Sequence, residues 1–149
     1  MIFGLLLFQA VVSVPAAPRP PLPPPTDLER LSIVVADTVT QTDPQRLCDQ
    51  AGCRTLYLGK YANAVVLAGP PLEPAFAARV EMGSPFDRSY RIAMIVEHRD
   101  GAEPLVRSMA GFGDRTHEAC FDWRDTDSFD WQVSGPRIIK RRRVICVAE

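Results

Sequence analysis

The most distinctive chemistry in this chain is a repeated tripeptide. Phe121-Asp122-Trp123 returns as Phe129-Asp130-Trp131 eight residues later, and both tryptophans of the protein lie in these copies. Side chains of an extended chain alternate between faces, so Phe121 and Trp123 share one face and Asp122 takes the other. The same holds for Phe129, Trp131 and Asp130. A polar turn over residues 124–128 would fold the copies into a hairpin with paired aromatic rings. Exposed rings beside carboxylates suit sugars or cationic groups, so Trp123, Trp131, Asp122 and Asp130 are candidate binding residues. The competing reading makes the rings core and the aspartates their solvated backs.

A basic run follows. Arg137 and Lys140-Arg141-Arg142-Arg143 give residues 137–143 a charge of +5, against −4 for residues 114–130. Arg141 and Arg142 join the candidate binding set. Opposite patches held together would neutralise one another at modest energy per exposed pair. The run lacks the interleaved aromatics of a single-strand-binding surface, and the protein's net charge is −1, so no nucleic acid is expected as partner.

Acid–base chemistry could use Asp122, Asp130 or His117, although adjacent loop acids do not define two carboxylates across a cleft. Asp125, Asp127 and Asp130 fall short of a calcium loop, which needs a central glycine and a distal glutamate. His117 and Cys120 have His-x-x-Cys spacing, but Cys48 and Cys53 are too far apart in sequence for the usual paired zinc ligands. Neither a nucleophile elbow nor a phosphate-cradling glycine loop is present. The sequence therefore predicts no metal, no cofactor and no catalytic residue.

The cysteines are read as staples. Cys48, Cys53, Cys120 and Cys146 are four in number, and in an oxidising compartment they predict two disulfides. Three connectivities exist; local reasoning favours Cys48–Cys53 and Cys120–Cys146. Asp43-Pro44 resembles a helix start and Gly52 a helix stop, which would put Cys48 in a short helix. The second bond would tie a final strand over residues 144–148 back to the middle of the domain.

The oxidising compartment is inferred from the first residues. Residues 2–14 are apolar except for Gln9 and Ser13, too short to span a membrane but suited to the core of a signal peptide. Small residues at 14–17 provide a cleavage site, although no basic residue precedes the apolar run. The expected organisation is a signal peptide over 1–16, a proline-rich spacer over 17–26 and one disulfide-bonded domain over 27–149. Six prolines among residues 18–25 dictate an extended spacer. Two lysines among 17 basic residues, with 14 prolines, point to a GC-rich bacterial genome. The mature chain should be periplasmic or secreted, with no transmembrane segment.

The elements that must carry these residues are mostly β. Residues 55–58, 64–68, 76–82, 91–97, 105–109 and 144–147 read as strands, with 91–97 apolar on both faces and therefore central. Asp100-Gly101 marks a hairpin turn. The predicted fold is a small antiparallel β-barrel or sandwich, an OB-like barrel among them, with one or two short helices near the N-terminus of the mature domain. The function expected is that of a non-enzymatic binding or interaction protein of the cell envelope, acting through residues 114–143 on an unknown protein or envelope ligand. The alternatives are a small hydrolase acting on an envelope polymer and a purely structural envelope protein.

Overall fold

A computed structural model describes residues 28–50, 52–122, 135–141 and 144–149. The signal-peptide and spacer segments lie outside the described residues. A 3-10 turn over Leu28–Arg30 leads into eight strands: β1 (Leu31–Asp49), β2 (Gly52–Ala68), β3 (Phe76–Glu81), β4 (Arg91–Glu97), β5 (Leu105–Gly111), β6 (Glu118–Asp122), β7 (Ile138–Arg141) and β8 (Val144–Ala148). The protein is mostly β, as its alternating apolar runs require.

Five strands hydrogen-bond into a closed ring in the order β1-β2-β3-β5-β4, and β6-β8-β7 form a second, three-stranded sheet. Among the described residues every strand pair is antiparallel except β3–β5, which is parallel over Arg79↔Leu105 and Val80↔Val106. β4 is buried on both faces because it has a core on each side. Val34, Ala36, Ala78, Val80, Ile92, Met94, Val96 and Val106 fill the ring. On the opposite face of the same two strands, Leu31, Ile33, Val35, Ala93 and Ile95 pack against Ala119, Phe121, Ile145 and Val147 of the second sheet.

The helices expected near the N-terminus are replaced by strand. β1 runs unbroken through Asp43-Pro44 to Asp49, paired with β2 down to Cys48↔Cys53 and Asp49↔Gly52. The helix-start pattern at Asp43 is instead a bulge: the register shifts between Thr42 and Gln45, and Asp43 has φ 51°. Aspartate tolerates that left-handed conformation, and proline is accommodated at a bulge because no ladder donor is needed there. Four such shifts along β1 bend its distal half away from β4, so the β1–β2 hairpin continues past the ring.

Disulfides join Cys48 to Cys53 near the tip of that hairpin and Cys120 on β6 to Cys146 on β8. Two glycines are obligatory. Gly69, at φ 88°, leaves no space for a Cβ beside the Leu31 carbonyl, and Gly59 leaves room for the Tyr61 ring, which stacks on Phe76 at 5.0 Å. His98, which follows β4, is half-buried. The buried Ser32 hydroxyl donates to the Pro70 carbonyl (2.7 Å), so it accepts from His98 Nε2 (2.8 Å). This pins β1 to the segments that follow β2 and β4.

Chain-entropy reasoning gives roughly 3.5 kcal/mol for a bond spanning 26 residues and roughly 2 kcal/mol for one spanning five. Denaturant titration should therefore show a larger loss for Cys120→Ala/Cys146→Ala than for Cys48→Ala/Cys53→Ala. Burial lowers the His98 pKa below its ordinary value, so the folded protein binds fewer protons there than the unfolded chain. Its contribution is complete above about pH 6.5 and is lost as pH falls through the folded value. The urea midpoint of the wild type should fall between pH 7.5 and pH 5 by more than that of His98→Gln.

Candidate functional site

The residues singled out in the sequence are only partly placed. Trp123, Asp130, Trp131 and Arg142 lie outside the described residues, as does the Asp122 side chain, although the Asp122 backbone ends β6 opposite Val144. Phe121, which opens the first aromatic copy, is 1% exposed and belongs to the core between the two sheets. Arg141 is committed to Glu118 through two 2.9 Å contacts, a forked pair across β8. That pair is a local case of acid and base neutralising one another.

Acid–base groups are not gathered there. His117 precedes β6 and Asp122 ends it, which along an extended strand separates their backbones by roughly 17 Å. His117 is exposed, with Nδ1 3.6 Å from Glu149. Glu118, Cys120 and Cys146 lie within ligand distance of one another, but both sulfurs are used in the disulfide and cannot bind metal as thiolates. Ser32 beside His98 is also no nucleophile: it is fully buried and its proton is given to Pro70.

The structure gathers different residues. A cleft of about 390 Å³ opens on the outer face of the ring, where β2, β3 and β5 run side by side beneath the β4–β5 loop. Arg54, Arg79, Arg99 and Arg107 line it with Glu103, over a floor that includes Leu47, Leu56 and Leu105. Strand register explains the placement. Ala78 and Val80 point into the ring, so Arg79 between them points out, next to Leu58 on β2 and Leu105 on β5. Arg107 lies two residues beyond Leu105 on that face, and Arg54 two residues before Leu56.

These cations differ in what holds them. Arg79 is locked: its guanidinium donates to the Asp43 carboxylate (2.7 Å) and the Asp43 carbonyl (3.0 Å), with Glu103 at 3.9 Å. The β1 bulge therefore positions Asp43 to brace the cleft wall. Arg107 is only 8% exposed, and its one close carboxylate is Glu97 at 3.4 Å, an ion pair without hydrogen-bond geometry. That Glu97 oxygen is buried and receives no hydrogen bond. Burial lowers the Arg107 pKa, Glu97 opposes the shift, and the nearby Arg99 and Arg54 charges add to it. Among the described residues, no acid pairs with Arg54 or Arg99.

Sequence reasoning missed this cluster because its members are scattered over four segments. Only the ring order brings them together. One signal was available: Arg79 and Arg107 occupy the outward positions of strands whose other outward residues include apolar ones. Compared with protein-family models, with curated proteins and with solved structures, the chain matches none.

Removing the Arg107 charge strands a buried carboxylate. Arg107→Met should cost on the order of 2–3 kcal/mol in denaturant titration, and adding Glu97→Gln should restore most of it. Equal losses in the single and double variants would show that packing, not charge, holds Arg107.

Proposed function

We propose that this chain is an exported, non-enzymatic binding domain of the cell envelope, built on an OB-like barrel, and that it takes an anionic ligand in the arginine cleft. The observation that carries the reading is the convergence of Arg54, Arg99 and Arg107 on one concave site without hydrogen-bonding partners among the described residues. Arg107, buried and without a hydrogen-bond acceptor among the described residues, carries a desolvation cost that an arriving anion offsets.

The topology supports the same location. OB barrels bind their ligands on the face of strands 2 and 3, between the loops joining strands 1–2 and 4–5. Here the ring order is β1-β2-β3-β5-β4, and the cleft is walled by the β1–β2 hairpin, β3 and the β4–β5 loop. Its size falls in the range that accommodates a small molecule or one unit of a polymer. Among the described residues the lining contains no aromatic one, which leaves nucleobases without a stacking platform there.

Export is supported by the two disulfides, which persist in oxidising compartments. No helix among the described residues is long and apolar enough to cross a membrane. In this reading the apolar N-terminal run is a cleaved signal peptide and the proline-rich segment a stiff spacer. With Phe121 in the core and Arg141 paired to Glu118, Trp123, Asp130, Trp131 and Arg142 are kept in this reading as a second contact for a protein or envelope ligand.

Calorimetry on the protein recovered from the exporting cell tests both parts. Its intact mass should lack the first 16 or 17 residues. Pyrophosphate and citrate should bind at low salt, weaken steeply as salt rises, and weaken about tenfold or more in Arg54→Gln/Arg99→Gln. Absence of binding by any anion, or unchanged binding in that variant, would sink the cleft as the ligand site.

A further inference from the structure

The arginines that read the ligand also constrain its shape. Resting on the cleft as the ligand site, we infer that it selects a tetrahedral oxyanion, a phosphate or sulfate group, over a carboxylate.

The three cations come from three walls. Arg54 is on β2, Arg107 on β5, and Arg99 in the loop between β4 and β5. β2 and β5 are separated by β3, and strands two apart stand roughly 9–10 Å from one another. Arg54 and Arg107 thus flank β3 on one outer face and Arg99 comes from the loop beside it, so a ligand in the cleft meets three cations at separate positions. A carboxylate offers two oxygens in one plane, which a single guanidinium fork satisfies. A second and third fork must share the same two oxygens, whose remaining acceptor sites lie in that one plane. A phosphoryl or sulfo group spreads three or four oxygens around a centre, so each wall can donate to its own.

The remaining lining residues sharpen the choice. Arg79 is taken by Asp43, so it holds the wall and does not add a fourth fork. Arg107 is more than nine-tenths buried, makes no hydrogen bond among the described residues, and lines this cleft. Leu47, Leu56 and Leu105 provide no partner for a ligand's own donors, which leaves Gln45 and Glu103 as the side-chain acceptors of the lining against four arginines. Glu103 is half-exposed and stands with Arg79 at 3.9 Å, on the acidic side of the site.

Sulfate and malonate carry the same charge at pH 7.5 but differ in oxygen geometry, so their comparison separates shape from charge. Calorimetry should give sulfate and inorganic phosphate about tenfold or more tighter binding than malonate. Arg99→Gln should shrink that ratio, because the third wall falls silent. Glucose 6-phosphate and vesicles containing phosphatidic acid, each competing with sulfate, distinguish a soluble ester from a lipid headgroup as the source of the group. Malonate binding as tightly as sulfate would overturn the tetrahedral preference and leave the anion cleft standing. If neither dianion binds, the cleft itself is refuted along with the preference.

Discussion

The double burial of β1 and β4 is the constraint from which the rest of the molecule follows. Val34, Ala36, Ile92, Met94 and Val96 face into the ring, while Leu31, Ile33, Val35, Ala93 and Ile95 face the second sheet. A fully buried side chain of this kind contributes about 1.5–3 kcal/mol relative to an exposed one, so these two strands carry much of the stability of both cores. A three-stranded sheet of four- and five-residue strands has little to bury by itself. Its stability comes from Phe121, Ile145 and Val147 seated on the ring, with Cys120–Cys146 fixing β6 to β8. Ser32 breaks the apolar run of β1, and its two hydrogen bonds remove what would otherwise be a buried penalty.

Once β1 and β4 are held in this way, the ring has to close elsewhere, and it closes through the parallel β3–β5 seam. That seam is short, two residue pairs with the Arg79 amide donating to the Pro104 carbonyl at its entrance. β5 is also the antiparallel neighbour of β4, and the turn that joins the two carries Arg99 and Glu103 to the cleft beside this seam. The cleft is therefore a consequence of topology. Its positive lining comes from arginine at outward strand positions on both sides of the seam.

What could be read from the sequence follows from how local each signal was. β4 was legible because Arg91 to Glu97 is apolar at every interior position, and Asp100-Gly101 marked its turn, where Gly101 has φ 68°. The alternation of Phe76, Ala78, Val80 and Met82 gave the inward face of β3. At Asp43-Pro44 the same residue types serve a helix start and a strand bulge, and only pairing with β2 decides between them. Two separate apolar stretches in residues 55–68 proved to be one strand, since Gly59 is paired in the ladder and Asn63, at φ 50°, sits in a bulge that shifts the register without ending the strand. The arginine cleft was illegible for a different reason. Arg54 and Arg107 are 53 positions apart, and no periodicity reports that β2 and β5 flank the same strand.

The strained and the buried features of the cleft belong together. A hairpin that outruns its sheet has only its own ladder to hold it, and such ends fray. Here the Cys48–Cys53 bond clamps the far end, and the Asp43 bulge anchors the middle to Arg79. Both devices hold Gln45, Leu47 and Arg54 against the cleft, which lowers the ordering cost that a ligand would otherwise meet. The Arg107–Glu97 pair is poorly compensated in the free protein, because the two groups meet at 3.4 Å and the buried Glu97 oxygen receives no hydrogen bond. Local rules are broken most often where a site serves something outside the fold. A rigid wall and an under-partnered buried cation in the same cleft are together what an anion site requires before its ligand arrives.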